Sequence, residues 1–220
     1  MKFFVDTANL DEIRQAVDFG ILDGVTTNPT LVSREGAKSF RDHILKICAI
    51  VGDKRVVNAE VIATDFEGMM AQAHSIAQWA PNVVVKIPMT EAGLRATHTL
   101  AEEGIATNVT LTFSAAQALL VAKAGATYVS PFIGRLDDIA TEGLELIHQI
   151  VQIYDTYGFE TEVLAASLRG PLHVVQCAEA VAHVGTMPFK VMQQLFKHPL
   201  TDKGLETFLN DWKKAGISLE

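Results

Sequence analysis

Val5-Asp6-Thr7-Ala8-Asn9 ends the first apolar run of the chain and leads into the first helix without a glycine. That turn decides between the two architectures open to a chain that alternates strands and helices. A doubly wound sheet that binds a nucleotide needs a glycine-rich turn here, because the backbone must approach the phosphates closely. Neither GxGxxG nor GxxxxGK[ST] occurs anywhere in the 220 residues. The alternative is a barrel of parallel strands, each followed by its helix.

Working outward from residues 2–6, seven more strand-sized runs follow, at 24–28, 56–61, 83–88, 106–111, 127–132, 162–167 and 184–188. Continuous apolar stretches such as Val83-Val84-Val85 and Val163-Leu164-Ala165-Ala166 suit strands covered on both faces. Between them, Asn9 with Glu12, Thr64 with Glu67 and Ser114 with Gln117 have the spacing of capping boxes. Gly20, Gly104, Gly125 and Gly158 stand where helices close. A last amphipathic segment, 201–215, carries Leu205, Phe208, Leu209 and Trp212 on one side. The pattern predicts an α/β fold, a (β/α)8 TIM barrel with an additional C-terminal helix. At 220 residues the barrel is near the lower size limit for the fold, and 1–220 reads as a single domain.

Composition removes several functional classes. With 49% hydrophobic and 20% charged residues the chain is neither disordered nor fibrous. Twenty-six acids against eighteen bases leave a net charge of −8, which argues against nucleic acid or an anionic membrane as partner but leaves room for a local cationic pocket. Cys48 and Cys177 make no disulfide framework and suit a reducing compartment. Asp6 interrupts the N-terminal apolar run too early for a signal sequence, and no apolar run is long enough to span a bilayer. The expected setting is soluble and cytoplasmic. Leu219-Glu220 has the look of a cloning scar and carries no weight in this reading.

The chemistry is read from polar residues that interrupt the ends of strands, where barrels place their active sites. Asp6, Thr26, Asn28, Glu60, Lys86, Asn108, Thr110, Ser130 and Ser167 all do so, with Arg135 and Arg169 just beyond. Most such residues are turn formers or caps, and Thr7, Thr27 and Ser114 are read that way. Lys86 is different. Its period-two neighbours Val84 and Pro88 are apolar, so it shares a covered face, and a buried lysine needs a partner. That face points either into the barrel or toward the helix layer, and if inward, Lys86 meets Asp6 and Glu60. One reading is a buried ion-pair network of little net stability. The other is a Schiff-base lysine, since an apolar pocket favours the neutral amine that attacks carbonyls and nearby carboxylates move the protons. Arg135, Arg169 and Ser167 suit a phosphate. The seven histidines show no metal-ligand spacing, so no metal is expected.

These segments resemble a known family. Val5-Asp6-Thr7-Ala8-Asn9, Gly24-Val25-Thr26-Thr27-Asn28-Pro29-Thr30, Val84-Val85-Lys86-Ile87-Pro88 and Ala165-Ala166-Ser167 are similar to the transaldolase family, in particular its small-chain branch, which includes the fructose-6-phosphate aldolases. The resemblance spans essentially the whole chain and implies a class I aldolase-type barrel that needs no cofactor. It implies that Lys86 forms a Schiff base with the ketose carbonyl. Glu60 would shuttle protons through a water that Thr110 helps hold, and Asp6 would take the C4 hydroxyl proton. Asn28 and Asn108 would bind the dihydroxyacetone unit, with Thr26 and Ser130 lining the pocket. Arg135, Ser167 and Arg169 would hold the distal phosphate.

Aldolases of this branch carry glutamine at the Glu60 position and a tyrosine, able to protonate the enamine, at the Phe132 position. Glu60 and Phe132 therefore place the expected activity on the transfer side. A dihydroxyacetone unit would pass from sedoheptulose 7-phosphate or fructose 6-phosphate to erythrose 4-phosphate or glyceraldehyde 3-phosphate, as in the pentose phosphate pathway. Aldolase cleavage releasing dihydroxyacetone is the alternative, and a non-catalytic phosphosugar-binding barrel a more distant one. The partners expected are sugar phosphates and further copies of the chain. The branch implies a homo-oligomer, a ring-based decamer in which the terminal helix packs on a neighbour, whereas the plainest reading of the Phe208–Trp212 stripe is a helix covering its own barrel.

Overall fold

The computed structural model describes residues 1–219, so Glu220, half of the dipeptide read as a scar, lies outside it. Eight strands close a parallel barrel in sequence order. They are β1 (Lys2–Asp6), β2 (Gly24–Thr26), β3 (Val56–Glu60) and β4 (Val83–Pro88), then β5 (Thr107–Thr112), β6 (Tyr128–Pro131), β7 (Glu162–Ala165) and β8 (Val184–Met187). The pairing of β8 with β1 runs from Lys2 opposite Val184 to Val5 opposite Met187 and leaves no sheet edge.

Helix α1 (Leu10–Asp18) follows β1, and α2 (Pro29–Arg34) and α3 (Phe40–Val51) follow β2. The next three strands are each followed by one helix, α4 (Phe66–Ala77), α5 (Glu91–Glu102) and α6 (Ala115–Lys123). After β6 come α7 (Ile133–Asp137) and α8 (Gly143–Tyr157), and after β7 comes α9 (Pro171–Glu179). Helices α10 (Phe189–Gln194) and α11 (Pro199–Ala215) complete the chain. Among the described residues no helix is long and apolar enough to cross a membrane.

The caps explain where helices start. The Asn9 side chain accepts from the backbone N–H groups of Asp11 and Glu12, and Ser114 Oγ accepts from Gln117 N–H at 3.2 Å. At α4 the cap is Asp65, one residue later than the expected Thr64. Its carboxylate accepts from Gly68 N–H at 2.8 Å, and its charge suits a helix N-terminus better than a hydroxyl does. Strand β2 stops at Thr26 because Asn28 is already the cap of α2, its side chain accepting from Leu31 N–H at 2.9 Å, with Pro29 at the first helical position.

Alternate residues of each strand face opposite ways. Val5, Val25, Val57, Val85, Ile87, Val109, Val129 and Val163 pack outward against Ile13, Ile44, Met69, Leu100, Ile147 and Ile150 of the helix layer. Phe4, Val84, Tyr128, Leu164 and Val184 fill the barrel. Gly24 is what admits the Phe4 ring, since a Cβ there would lie 2.7 Å from the ring and 2.8 Å from the Val56 carbonyl oxygen. Burying the outward and inward faces together explains why the strands read as continuous apolar runs rather than alternating ones.

Helix α11 departs from this plan. None of its residues is buried, and Phe208 is 73% exposed, so the stripe does not cover the chain's own barrel.

Candidate active site

Above the apolar filling, the same inward positions turn polar. Thr26, Asn58, Lys86, Asn108, Ser130 and Thr186 are all buried. Strand pairing fixes their neighbours. Asp6 stands beside Thr26, Thr26 beside Asn58, Glu60 beside Lys86, and Lys86 beside Asn108. This floor of the site is therefore set by register, not by loops.

Lys86 is 5% exposed, on the same face as Val84, as the apolar period predicts. Its Nζ lies 3.1 Å from Glu60 Oε2 and donates to the Thr27 carbonyl at 3.2 Å. Thr26 Oγ1 donates to Asp6 Oδ1 at 2.7 Å and lies 2.7 Å from Thr186 Oγ1. A hydroxyl has one proton, so Thr186 must be the donor to Thr26, and a polarised chain Thr186 to Thr26 to Asp6 results. A second chain runs from Ser130 Oγ to Asn108 Oδ1 at 2.7 Å and from Asn108 Nδ2 to Asn58 Oδ1 at 2.6 Å.

These groups open into a cavity of about 690 Å³. Eleven of the twelve expected site residues line it, namely Asp6, Thr26, Asn28, Glu60, Lys86, Thr110, Ser130, Phe132, Arg135, Ser167 and Arg169. Asn108 lies just below, fully buried, and meets the lining through Ser130. Thr110 Oγ1 is buried without a hydrogen-bond partner, so its hydroxyl is free for a ligand. The β5–β6 register shifts between Val109 and Thr112, and Leu111 takes φ 60°; this bulge at the barrel rim is what puts consecutive residues Thr110 and Leu111 at the cavity.

The expected phosphate end is built around α7. The Arg135 guanidinium sits 4.8 Å over the Phe132 ring, and Arg169 Nη2 donates to Asp138 Oδ2 at 2.6 Å. Gly134 lets α7 approach the Ser167 segment, since a Cβ there would lie 2.0 Å from the Ser167 carbonyl oxygen. Arg169 N–H donates to His173 Nδ1 at 3.2 Å, fixing the loop from behind. Neither thiol belongs to the site. Burial pushes Cys48 up to about 11 and Cys177 up to about 12, which leaves both as inert packing groups.

Thr7, Thr27 and Ser114 keep structural roles, Thr7 bonding Glu12, Thr27 Oγ1 donating to the Asn58 carbonyl, and Ser114 capping α6. Three residues at the site escape the sequence reading. Asn58 and Thr186 carry the signal that exposed Lys86, a polar residue two positions from an inward apolar one or from Glu60. Arg34, at the end of α2, lines the cavity and carries no such signal, because only the short helix turns it to the mouth.

A buried lysine and two carboxylates at the carboxyl ends of barrel strands, below a rim of arginines, mark the place where barrel enzymes carry their active sites. The chain belongs to the transaldolase/fructose-6-phosphate aldolase family, whose model matches residues 3–219. It is 57% identical to a "Probable transaldolase" of Parabacteroides distasonis, over 98% of this chain and 99% of that one. It is 58% identical to another of the same name from Kosmotoga olearia, over 97% of each chain. Among solved structures it is similar in fold to a thiamine phosphate pyrophosphorylase from Pyrococcus furiosus, with TM-score 0.62 and 14% identity over 88% of this chain and 93% of that one. At that identity the likeness concerns the barrel alone.

Proposed function

We propose that the protein is a cytoplasmic transaldolase that moves a dihydroxyacetone unit between sugar phosphates through a Schiff base on Lys86. The observation that carries this is the pairing of Lys86, 5% exposed, with Glu60 at 3.1 Å on the floor of a cavity that Asp6 also lines. The amine attacks C2 of sedoheptulose 7-phosphate or fructose 6-phosphate. Glu60, with Thr110, returns the proton that lets the carbinolamine lose water as an iminium. Asp6 then takes the C4 hydroxyl proton. The C3–C4 bond breaks, its electrons flow into the iminium, and an aldose phosphate leaves while an enamine stays on Lys86. Asn28, Asn108, Thr26 and Ser130 hold that three-carbon unit, and Arg135, Ser167 and Arg169 the phosphate. Addition to erythrose 4-phosphate or glyceraldehyde 3-phosphate reverses the steps, as the pentose phosphate pathway requires.

Phe132 favours transfer over release. Its ring lies against Phe113, with centroids 5.9 Å apart, and offers the enamine no proton. Borohydride with fructose 6-phosphate is expected to fix a covalent adduct on Lys86, and an unchanged mass would overturn the Schiff base. Sustained dihydroxyacetone release without an acceptor would instead make the protein an aldolase, and Phe132→Tyr is expected to move the wild-type balance that way.

The proposal extends to assembly. Helix α11 leaves Leu205, Phe208, Leu209 and Trp212 exposed, and a cavity of about 470 Å³ lined by Val32, Phe40, Ile62, Ile76 and Trp79 lies beside the site. An apolar helix face left this exposed by the described residues fits packing on a second copy, in a homo-oligomer of the decameric kind. Light scattering of the full chain and of a chain ending before Pro199 tests this; a monomer in both would refute it.

A further inference from the structure

Six charged side chains line the barrel mouth: the acids Asp6 and Glu60, and the bases Arg34, Lys86, Arg135 and Arg169. Most are already engaged. Lys86 is paired with Glu60, and Arg169 gives a guanidinium N–H to Asp138. Arg135 lies over an uncharged ring. Arg34 makes no ion pair or side-chain hydrogen bond among the described residues, and the adjacent Glu35 is turned away, accepting from Asn9 Nδ2 at 3.1 Å. Arg34 is thus an unneutralised cation at the rim, on α2 after β2, while Arg135 and Arg169 follow β6 and β7 on the other side of the eight-stranded ring.

We infer that Arg34 is a specificity-determining residue that draws the phosphate of the substrate to the mouth from the wall opposite Arg135. This rests on the sugar-phosphate reading of the site. The physical need for it is set by the protein's own charge. A dianion approaching a chain of net charge −8 is repelled at long range, and only positive charge within a Debye length of the mouth, about 8 Å at physiological salt, offsets that. The six lining charges sum to +2, and Arg34 supplies half of that excess. It is exposed and solvated, so its effect belongs to encounter and discrimination between phosphorylated and unphosphorylated sugars, not to the bond-breaking step.

The transfer reaction allows a clean measurement, because the acceptor's kcat/KM reports only its reaction with the loaded enzyme. With sedoheptulose 7-phosphate as donor, which releases erythrose 4-phosphate, glyceraldehyde 3-phosphate is compared with D-glyceraldehyde as acceptor in the wild type, Arg34→Gln and Arg34→Lys. Arg34→Gln is expected to lower kcat/KM for the phosphorylated acceptor about fivefold, with a shallower salt dependence, and to leave D-glyceraldehyde within about twofold. Arg34→Lys is expected to restore most of the preference, since a point charge suffices for steering. An equal loss with both acceptors would make Arg34 a structural residue and overturn the inference, as would no loss with either. Arg135→Gln separates the two levels of argument. If it too leaves the phosphate preference intact, the sugar-phosphate reading of this rim is what fails.

Discussion

Two layers inside one barrel, two residues apart along the same strands, behave as different materials. The lower holds Phe4, Val84, Tyr128, Leu164 and Val184, with Phe4 and Tyr128 meeting edge to face at 6.3 Å between centroids. The upper holds Asp6, Thr26, Lys86, Asn108, Ser130 and Thr186, joined by hydrogen bonds and one ion pair. Lys86, Asn108 and Ser130 are as shielded from solvent as the apolar layer below them, so burial alone does not separate core from site. The difference lies in what satisfies the side chains. Packing completes the lower layer, whereas the upper keeps an unpartnered Thr110 hydroxyl and an unpartnered Asn58 amide. The proposed function assigns reactivity to the upper layer and leaves folding to the lower, so a substitution in each is expected to harm one property and spare the other.

Lys86→Met gives the largest effect. The thioether fills the space of the lysine stem, so the chain is expected to fold, while activity falls by a factor of about a thousand or more and borohydride fixes no adduct. Substantial residual transfer by this variant would break the assignment of the upper layer to chemistry. Phe4→Ala is its counterpart below. Removing a fully buried ring beside Gly24 is expected to cost about 3–5 kcal/mol and lower the melting temperature by roughly 10 °C, with kcat of the folded protein within about twofold. Calorimetry and initial rates on the same sample test both halves of that statement.

The boundary between the layers is also where the sequence was legible and where it was not. All eight strands could be found, because strands covered on both faces leave continuous β-branched runs, and Lys86 stood out as a charge inside one. The expected β2 runs two residues past its real end at Thr26, because Asn28 serves the next helix, a role invisible until α2 is placed. The α4 cap was shifted from Thr64 to Asp65 since either residue type can cap. Asn58 and Thr186 were missed although they obey the Lys86 rule, because a single neutral side chain in a strand is usually satisfied structure. What they bond to depends on barrel closure, which joins β8 to β1 and brings Thr186 to Thr26. Arg34 depends on the orientation of a six-residue helix. Local pattern reaches the layers; closure assembles the network.

Asn58→Ala tests whether the network matters as a network. Among the described residues Asn58 Oδ1 is the one acceptor for Asn108 Nδ2, so its loss leaves a buried amide unpaired and the Asn108 side chain held by Ser130 alone. A stability loss of about 1–3 kcal/mol is expected together with a roughly tenfold rise in KM for the ketose donor, because Asn108 is proposed to hold the three-carbon unit. A loss of stability with unchanged KM would place Asn58 with the lower layer.

The smallest expected effect concerns pH and the floor of the barrel. Burial raises the Tyr128 hydroxyl above the ordinary tyrosine range, the Glu162 carboxylate adds to this, and the Lys2 ammonium opposes it. A neutral acid whose folded value lies above its unfolded one holds its proton more tightly in the native state. Its contribution is complete below about pH 10, the unfolded value, and is lost as pH rises through the higher folded value. Tyr154, whose hydroxyl donates to the Ala118 carbonyl at 2.7 Å, is raised by burial and acts in the same direction. Tyr128→Phe is therefore expected to flatten the decline of stability above pH 10, and Tyr128→Phe with Tyr154→Phe to flatten it further, in urea melts at stepped pH. An alkaline limb unchanged in the single variant would show that the Tyr128 hydroxyl reaches solvent from the barrel floor, and that the lower layer is less closed than its packing indicates.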